Sequence, residues 1–262
     1  MRRFRQEDYM QYPIRRISLS VAIAYALICV LFLIMGLVTN TKRVNAAEGT
    51  TGVKSVYAIK FDNIAQVENP SRDYLILVNS QNKYEFGGYY DLGIQKDLSY
   101  CVNDVDGDTM AAEKAAYLAY TMLKRDMAEQ GIKIGIYDGY RTAADQEYLI
   151  ELLRTPTNPV MDVGYTECHT GLLLSIVVWD DAKNAWAESL DNAKVRANFE
   201  KMHACATDYG FIVRYPEGKE SVTGLTYRPS NMRFVGSTET AHAIMDNGLT
   251  LEEYKATHSL GN

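Results

Sequence analysis

Three short stretches hold the side chains that could do chemistry. The first is Tyr209 to Gly236, YGFIVRYPEGKESVTGLTYRPSNMRFVG. Tyr209-Gly210 reads as a helix end with glycine at the left-handed stop, and Phe211 to Tyr215 as a strand of aromatic and β-branched residues. A turn at Pro216, Glu217 and Gly218 leads to a second short strand over Val222 to Tyr227. Two strands joined in this way deliver Arg228 and Asn231 to one place. The second stretch is Asp138 to Gln146, DGYRTAADQ, with Arg141 at a strand–helix turn. A guanidinium meets a carboxylate with two parallel N–H donors, so anion recognition suits it, although a plain surface arginine would read the same. The third is Gly164 to Ile176, GYTECHTGLLLSI, which sets a thiol and an imidazole side by side at Cys168 and His169. A nucleophilic thiol with His169 or His203 as its base is one reading. The sequence supplies no third group to orient that base, and a buried inert cysteine is the commoner case.

The surrounding periodicity says what must hold these groups. Tyr74 to Asn79 reads as a strand ending at a turn-forming Asn. Asp108 or Thr109 caps a helix with apolar residues at helical spacing to about Gln130, where Gly131 stops it. Ile132, Ile134 and Ile136 alternate with Lys133 and Gly135, as in a half-buried strand. Thr142 and Asp145 match a capping box for a helix to about Arg154. Asp180 to Asn192 is a polar insert next to Trp179 and Trp186, and Asn192 to Tyr209 reads as a helix with His203 on its flank. Ser237 or Thr238 caps another helix to about Asp246, Asn247-Gly248 stops it, and Leu249 to Tyr254 begins a last helical turn.

The N-terminal part is built differently. Ile17 to Val38 is an uncharged apolar run, long enough to cross a bilayer as a helix. Residues 1–43 carry 7 Lys and Arg against 2 Asp and Glu, whereas the remainder carries 20 against 31. The basic flank predicts a cytoplasmic tail over 1–16, a single-pass anchor over 17–38, a linker or stalk over 39–73 and an extracytoplasmic domain from 74. A cleaved signal peptide ending near Val44-Asn45-Ala46 is the rival, and the length of the run favours the anchor. The acidic remainder excludes nucleic acid as a partner. Cys101, Cys168 and Cys205 lie outside the apolar run, and whether Cys101 and Cys205 pair is open.

The three stretches resemble the VanY-type D-alanyl-D-alanine carboxypeptidases, bacterial zinc enzymes that trim the last D-Ala from cell-wall stem peptides. Residues 209–236 resemble the family's YGFI-RYP-x-GK-x-x-TG-x-x-YEPWH-x-RYVG, 138–146 its SGYRS-x-x-x-Q, and 164–176 its GYSEH-x-TGLA-x-D-I. The likeness spans about Tyr74 to Tyr254. It implies an α+β fold, a small mostly antiparallel sheet flanked by helices (DD-carboxypeptidase/hedgehog-like), with a domain over 74–257. It also implies that Arg141, with Gln146, takes the family's carboxylate-gripping position.

The frame matches, but the chemistry does not. The family's zinc ligands, His, Asp and His, fall on Cys168, Ser175 and Asn231, and its catalytic Glu falls on Arg228. His169 stands two residues before Gly171 where the ligand stands three before it, so it is out of register. A hydroxyl and an amide are poor zinc ligands. A guanidinium accepts no proton, and it repels a dication by about 4 kcal/mol per unit of charge product at about 4 Å and an effective dielectric of about 20. The expectation is therefore no metal, no cofactor and no catalytic residue. What remains is a cationic pocket in which Arg141, Arg228, Asn231, Ser175 and Gln146 bind a peptidoglycan stem peptide or another small carboxylate. That describes a membrane-anchored pseudoenzyme at the wall, with an active D,D-carboxypeptidase of atypical metal site as the alternative and a surface-interaction domain as a third reading.

Overall fold

The computed structural model describes residues 72–86, 98–155 and 160–258. The chain separates into two units, Met1–Val53 and Lys54–Asn262, and all the described residues belong to the second. The expected tail, anchor and nearly all of the linker lie outside the described residues. No helix among those described is long and apolar enough to cross a membrane.

Strands β1 (Leu98–Val102) and β2 (Thr109–Glu113) pair as an antiparallel hairpin, followed by α1 (Lys114–Glu129), β3 (Ile134–Asp138) and α2 (Ala143–Leu153). A 3-10 turn at Glu167–Thr170 leads into β4 (Leu173–Asp180), β5 (Ala185–Ala187) and α3 (Ala193–Ala206). After β6 (Phe211–Val213) come a single helical turn at Glu220–Thr223, β7 (Asn231–Phe234), α4 (Thr238–Met245) and α5 (Leu251–His258). The main sheet runs β3-β4-β7-β6 with β5 added to β4, and every pairing in it is antiparallel. This is the α+β architecture expected.

Strand alternation divides the sheet into two unlike faces. Leu174, Ile176 and Val178 of β4 share one face with Ile134, Ile136, Met232, Phe234, Phe211 and Val213. That face packs on α1 through Ala115, Ala116, Ala119, Tyr120, Leu123 and Met127, and on α3 through Val195, Phe199 and Met202. Truncating Leu123, Met127 or Met202 to alanine costs about 2–5 kcal/mol. The opposite face carries Leu173, Ser175, Asn231, Arg233, Ile212 and Arg214, and it holds the polar chemistry.

The punctuation expected from sequence is largely present. Thr142 and Asp145 form the capping box, Asn192 and Ser237 cap α3 and α4, and Gly131, Gly210 and Gly248 adopt positive φ. Three expectations are corrected. Thr109–Glu113 is not helical, because its backbone pairs with β1; helix α1 starts later, with the Glu113 carboxylate accepting from Ala116 N at 2.8 Å. Tyr74–Asn79 is not a strand. Its carbonyls are taken by side chains instead, Arg233 donating to Ile76 O at 2.9 Å and Lys255 to Leu75 O at 2.7 Å. Val222–Tyr227 is not a strand either: the helical turn Glu220–Thr223 closes on Gly224 at φ 75°.

Candidate functional site

The register places Asp138, Ser175 and Asn231 side by side across β3, β4 and β7. Directly paired residues share a face, and all three line a cleft of about 540 Å3. An irregularity makes this so. By strict alternation Asp138 would follow Ile134 and Ile136 into the core, but a register shift between Ile136 and Asp138 returns it to the cleft side. Beyond it the chain passes so close to β2 that a Cβ at Gly139 would lie 2.6 Å from the Ala111 carbonyl oxygen. Only glycine fits there, and Arg141 follows, its N–H donating to Cys168 O at 3.1 Å.

The cleft gathers the expected residues Arg141, Gln146, Cys168, Ser175, Arg228 and Asn231 from separate parts of the chain. Gln146 is the buried residue of α2, Cys168 comes from the 3-10 turn, and Arg228 from the loop before β7. Ser230 is buried beside the cleft and donates to Asn231 Oδ1 at 3.3 Å.

The electrostatics differ from the cationic pocket expected. Asp138 and Glu188 also line the cleft, so two carboxylates answer two guanidiniums. Arg141 is taken up within the chain: Nη1 donates to Gln146 Oε1 at 2.8 Å and Nη2 to the Asp138 carboxylate. Gln146 is itself fixed, its Nε2 donating to Met161 O at 2.6 Å. Arg228 is unlike Arg141. Its guanidinium lies 6.0 Å from the Tyr215 ring centroid, with no hydrogen bond or ion pair to another described residue. Burial raises the Glu188 carboxyl pKa, and the nearby Asp138 raises it further. Burial also raises that of Asp138, against the pull of Arg141. Sequence reasoning missed both acids as site residues. The one available signal was Asp138 three positions before Arg141, whereas Glu188 reaches the cleft only through the β4–β5 pairing.

The thiol reading meets the same geometry. Burial, then the Asp138 charge, push the Cys168 thiol up to about 11, so at neutral pH it is protonated and a weak nucleophile. His169 is buried and its ring is spent: Nδ1–H donates to Arg141 O at 2.8 Å, and Nε2 accepts from Gly164 N at 3.1 Å. The backbone there is a 3-10 turn. His203 donates to Pro229 O at 2.8 Å and does not line the cleft. Cys101 and Cys205 are both free thiols.

Behind the cleft lies a buried charge network. Glu167, Arg214 and Arg233 have fully buried side chains. Arg214 Nε donates to Glu167 Oε1 at 2.8 Å and its end nitrogens reach Glu252 at 3.0 and 2.7 Å. Arg233 Nε stands 3.2 Å from Glu167 Oε2, and burial lowers its pKa to about 10. Two anions and two cations therefore close a neutral set. Arg72 donates to Thr170 O beside it.

Comparison with known proteins places this arrangement. Residues 109–237 match the family model described as VanY, D-alanyl-D-alanine carboxypeptidase. The chain is 29% identical over 229 residues to the putative carboxypeptidase YodJ of Bacillus subtilis (strain 168), covering 82% of this chain and 80% of that protein. The solved structure of the LdcB LD-carboxypeptidase, described as revealing the basis of peptidoglycan recognition, is 28% identical with a TM-score of 0.56, covering 69% of this chain and 85% of that one. A mutant of the vancomycin-resistance D,D-pentapeptidase VanY in complex with Zn(II) shares the fold at 24% identity and a TM-score of 0.54, covering 70% of this chain and 99% of that one.

The last comparison corrects the expectation of no cofactor for this chain: the solved VanY mutant is in complex with Zn(II), and zinc is the ion that the family points to. The side chains this protein sets at the three expected ligand positions do not fit that ion. Ser175 and Asn231 offer a hydroxyl and an amide, and the Cys168 thiol resists the ionisation that zinc binding requires. Among the described residues, no three His, Cys, Asp or Glu side chains gather in a way that could hold a metal. With the fold, the cleft and the sequence match in agreement, residues 109–237 form a domain of the VanY, D-alanyl-D-alanine carboxypeptidase, family.

Proposed function

We propose that this protein is a wall-facing recognition domain that binds the ends of peptidoglycan stem peptides, or a similar small carboxylate, and has lost the family's hydrolysis. The observation that carries it is the Arg228 guanidinium, unpaired among the described residues and set in a peptide-sized cleft beside Asn231 and Ser175. A terminal carboxylate accepts hydrogen bonds from Arg228, the amide of Asn231 and the hydroxyl of Ser175 serve the peptide group, and Leu173 and Leu225 take the methyl groups. Hydrolysis needs a base to take a proton from water, and the position that should supply it holds a side chain that stays protonated. The uncharged run Ile17–Val38 after a basic tail supports anchoring in the cell membrane, with the domain outside. Protease accessibility on intact cells checks that topology.

A second reading, a working D,D-carboxypeptidase with an atypical site, is favoured by Glu188, a cleft carboxylate whose raised pKa suits a general base. One experiment separates the two. The purified chain is titrated with a stem pentapeptide and assayed for D-Ala release, with zinc added and with a chelator. Binding without release supports recognition. Turnover that vanishes in Glu188→Gln establishes the enzyme, and absence of binding removes the recognition reading.

A further inference from the structure

The two arginines of the cleft are not equivalent. Arg141 stands at the β3 edge, where Asp138 occupies one end nitrogen and Gln146 the other. Arg228 stands in the loop before β7 with its guanidinium unpaired among the described residues. Between them run the paired positions Asp138, Ser175 and Asn231, roughly 10 Å across three strands at the usual strand spacing. Glu188 lines the cleft with no cation paired to it among the described residues, and the Asp138 charge reaches it. The cleft thus has an acidic end and a basic end. A carboxylate arriving at Arg141 would meet a guanidinium already neutralised and a second carboxylate close behind it.

We propose that Asp138 is a built-in carboxylate that fills the fork of Arg141, closes that end to a ligand's carboxylate and assigns the ligand's terminus to Arg228. Asp138 is then a specificity-determining residue. The proposal rests on the reading of the cleft as a carboxylate site, and adds the direction in which a peptide lies in it. Asp138 and an incoming carboxylate have the same chemistry, and the intramolecular one holds the fork at high effective concentration. Removing its charge while keeping its shape therefore returns Arg141 to the ligand.

The test uses the full chain in detergent and two probes, a pentapeptide ending in a free D-Ala-D-Ala carboxylate and the same peptide as its C-terminal amide, titrated calorimetrically. In the unaltered chain Arg228→Gln weakens the acid by about tenfold, while Arg141→Gln changes it by less than about threefold. Asp138→Asn, and Asp138→Ser as a second variant, tighten the acid by about tenfold and leave the amide unchanged. Adding Arg141→Gln to Asp138→Asn abolishes that gain. A loss of about tenfold from Arg141→Gln alone overturns the proposal without needing any Asp138 variant to fold. So does binding by the unaltered chain with no gain in either Asp138 variant, and both results leave the recognition reading intact. Failure of every variant to bind either probe overturns the proposal together with the reading beneath it.

Discussion

The cleft and the charge network behind it share one face of one sheet, and on β7 they are separated by the step from Asn231 to Arg233. In the network each ion has an opposite partner, and the side chains of Glu167, Arg214 and Arg233 have no access to water. In the cleft, Arg228 is exposed and unpaired among the described residues, while Arg141 is held by its own chain. The physics of the two places sets how freely each can change. A buried ion cannot lose its partner without leaving an uncompensated charge. A side chain facing solvent-filled space can change its chemistry at little cost to folding. The framework therefore says what the fold is, and says little about whether its inherited reaction survives.

The sharpest way to break this contrast is at its buried side. Glu167→Ala takes from Arg233 its ion pair and leaves Arg214 with Glu252 alone, and should cost about 3–5 kcal/mol in urea unfolding; a loss under about 1 kcal/mol would mean that the network is not what secures the frame. On the cleft side, Arg228→Gln should lose about 1.4 kcal/mol of affinity for a carboxylate-ended peptide, the tenfold given above, with an unchanged unfolding midpoint, which calorimetry and thermal melts read separately. Replacing Cys168 and Asn231 by His, Ser175 by Asp and Arg228 by Glu should shift unfolding by no more than about 1 kcal/mol per site. The same variant should take up more zinc than the unaltered chain, as metal analysis after dialysis would show. Collapse of that variant would contradict the idea that the cleft is exchangeable.

The smallest effect belongs to the surface. His242 of α4 joins Asp208 at 2.9 Å and Asp246 at 3.2 Å, and first the Asp208 hydrogen bond, then that to Asp246, outweigh partial burial to raise its pKa. A raised folded-state pKa gives stability that is full below the unfolded value, about 6.5, and is lost as pH rises through the folded one. Thermal midpoints of the unaltered chain should fall relative to His242→Gln across that window, and parallel curves would remove the assignment.

What the sequence made legible was local or carried by motif. Thr142 with Asp145, and glycines 131, 210 and 248, announce helix ends through chemistry within a few residues. Arg141, Cys168, Ser175, Arg228 and Asn231 could be placed because each sits at a fixed offset in a stretch dense with framework residues. The failures were long-range. The Ala-rich run from Thr109 to Glu113 has helical composition, but pairing with β1 overrides it. Glu167 finds Arg214 and Glu252 far along the chain, and no spacing rule reaches that distance. Glu188 and Asp138 became site residues only once strand register was known.

The shift between Ile136 and Asp138 also makes the cleft depend on one residue of chain length. With Ile136 still opposite Ile176 and no irregularity, Tyr137 would stand opposite Ser175 and the Asp138 carboxylate would turn toward the apolar helices. A codon lost at Tyr137 would straighten β3 and keep that carboxylate in the cleft, whereas a codon gained just before Asp138 would hand its place to another side chain, an indel doing what no substitution at Ser175 or Asn231 would.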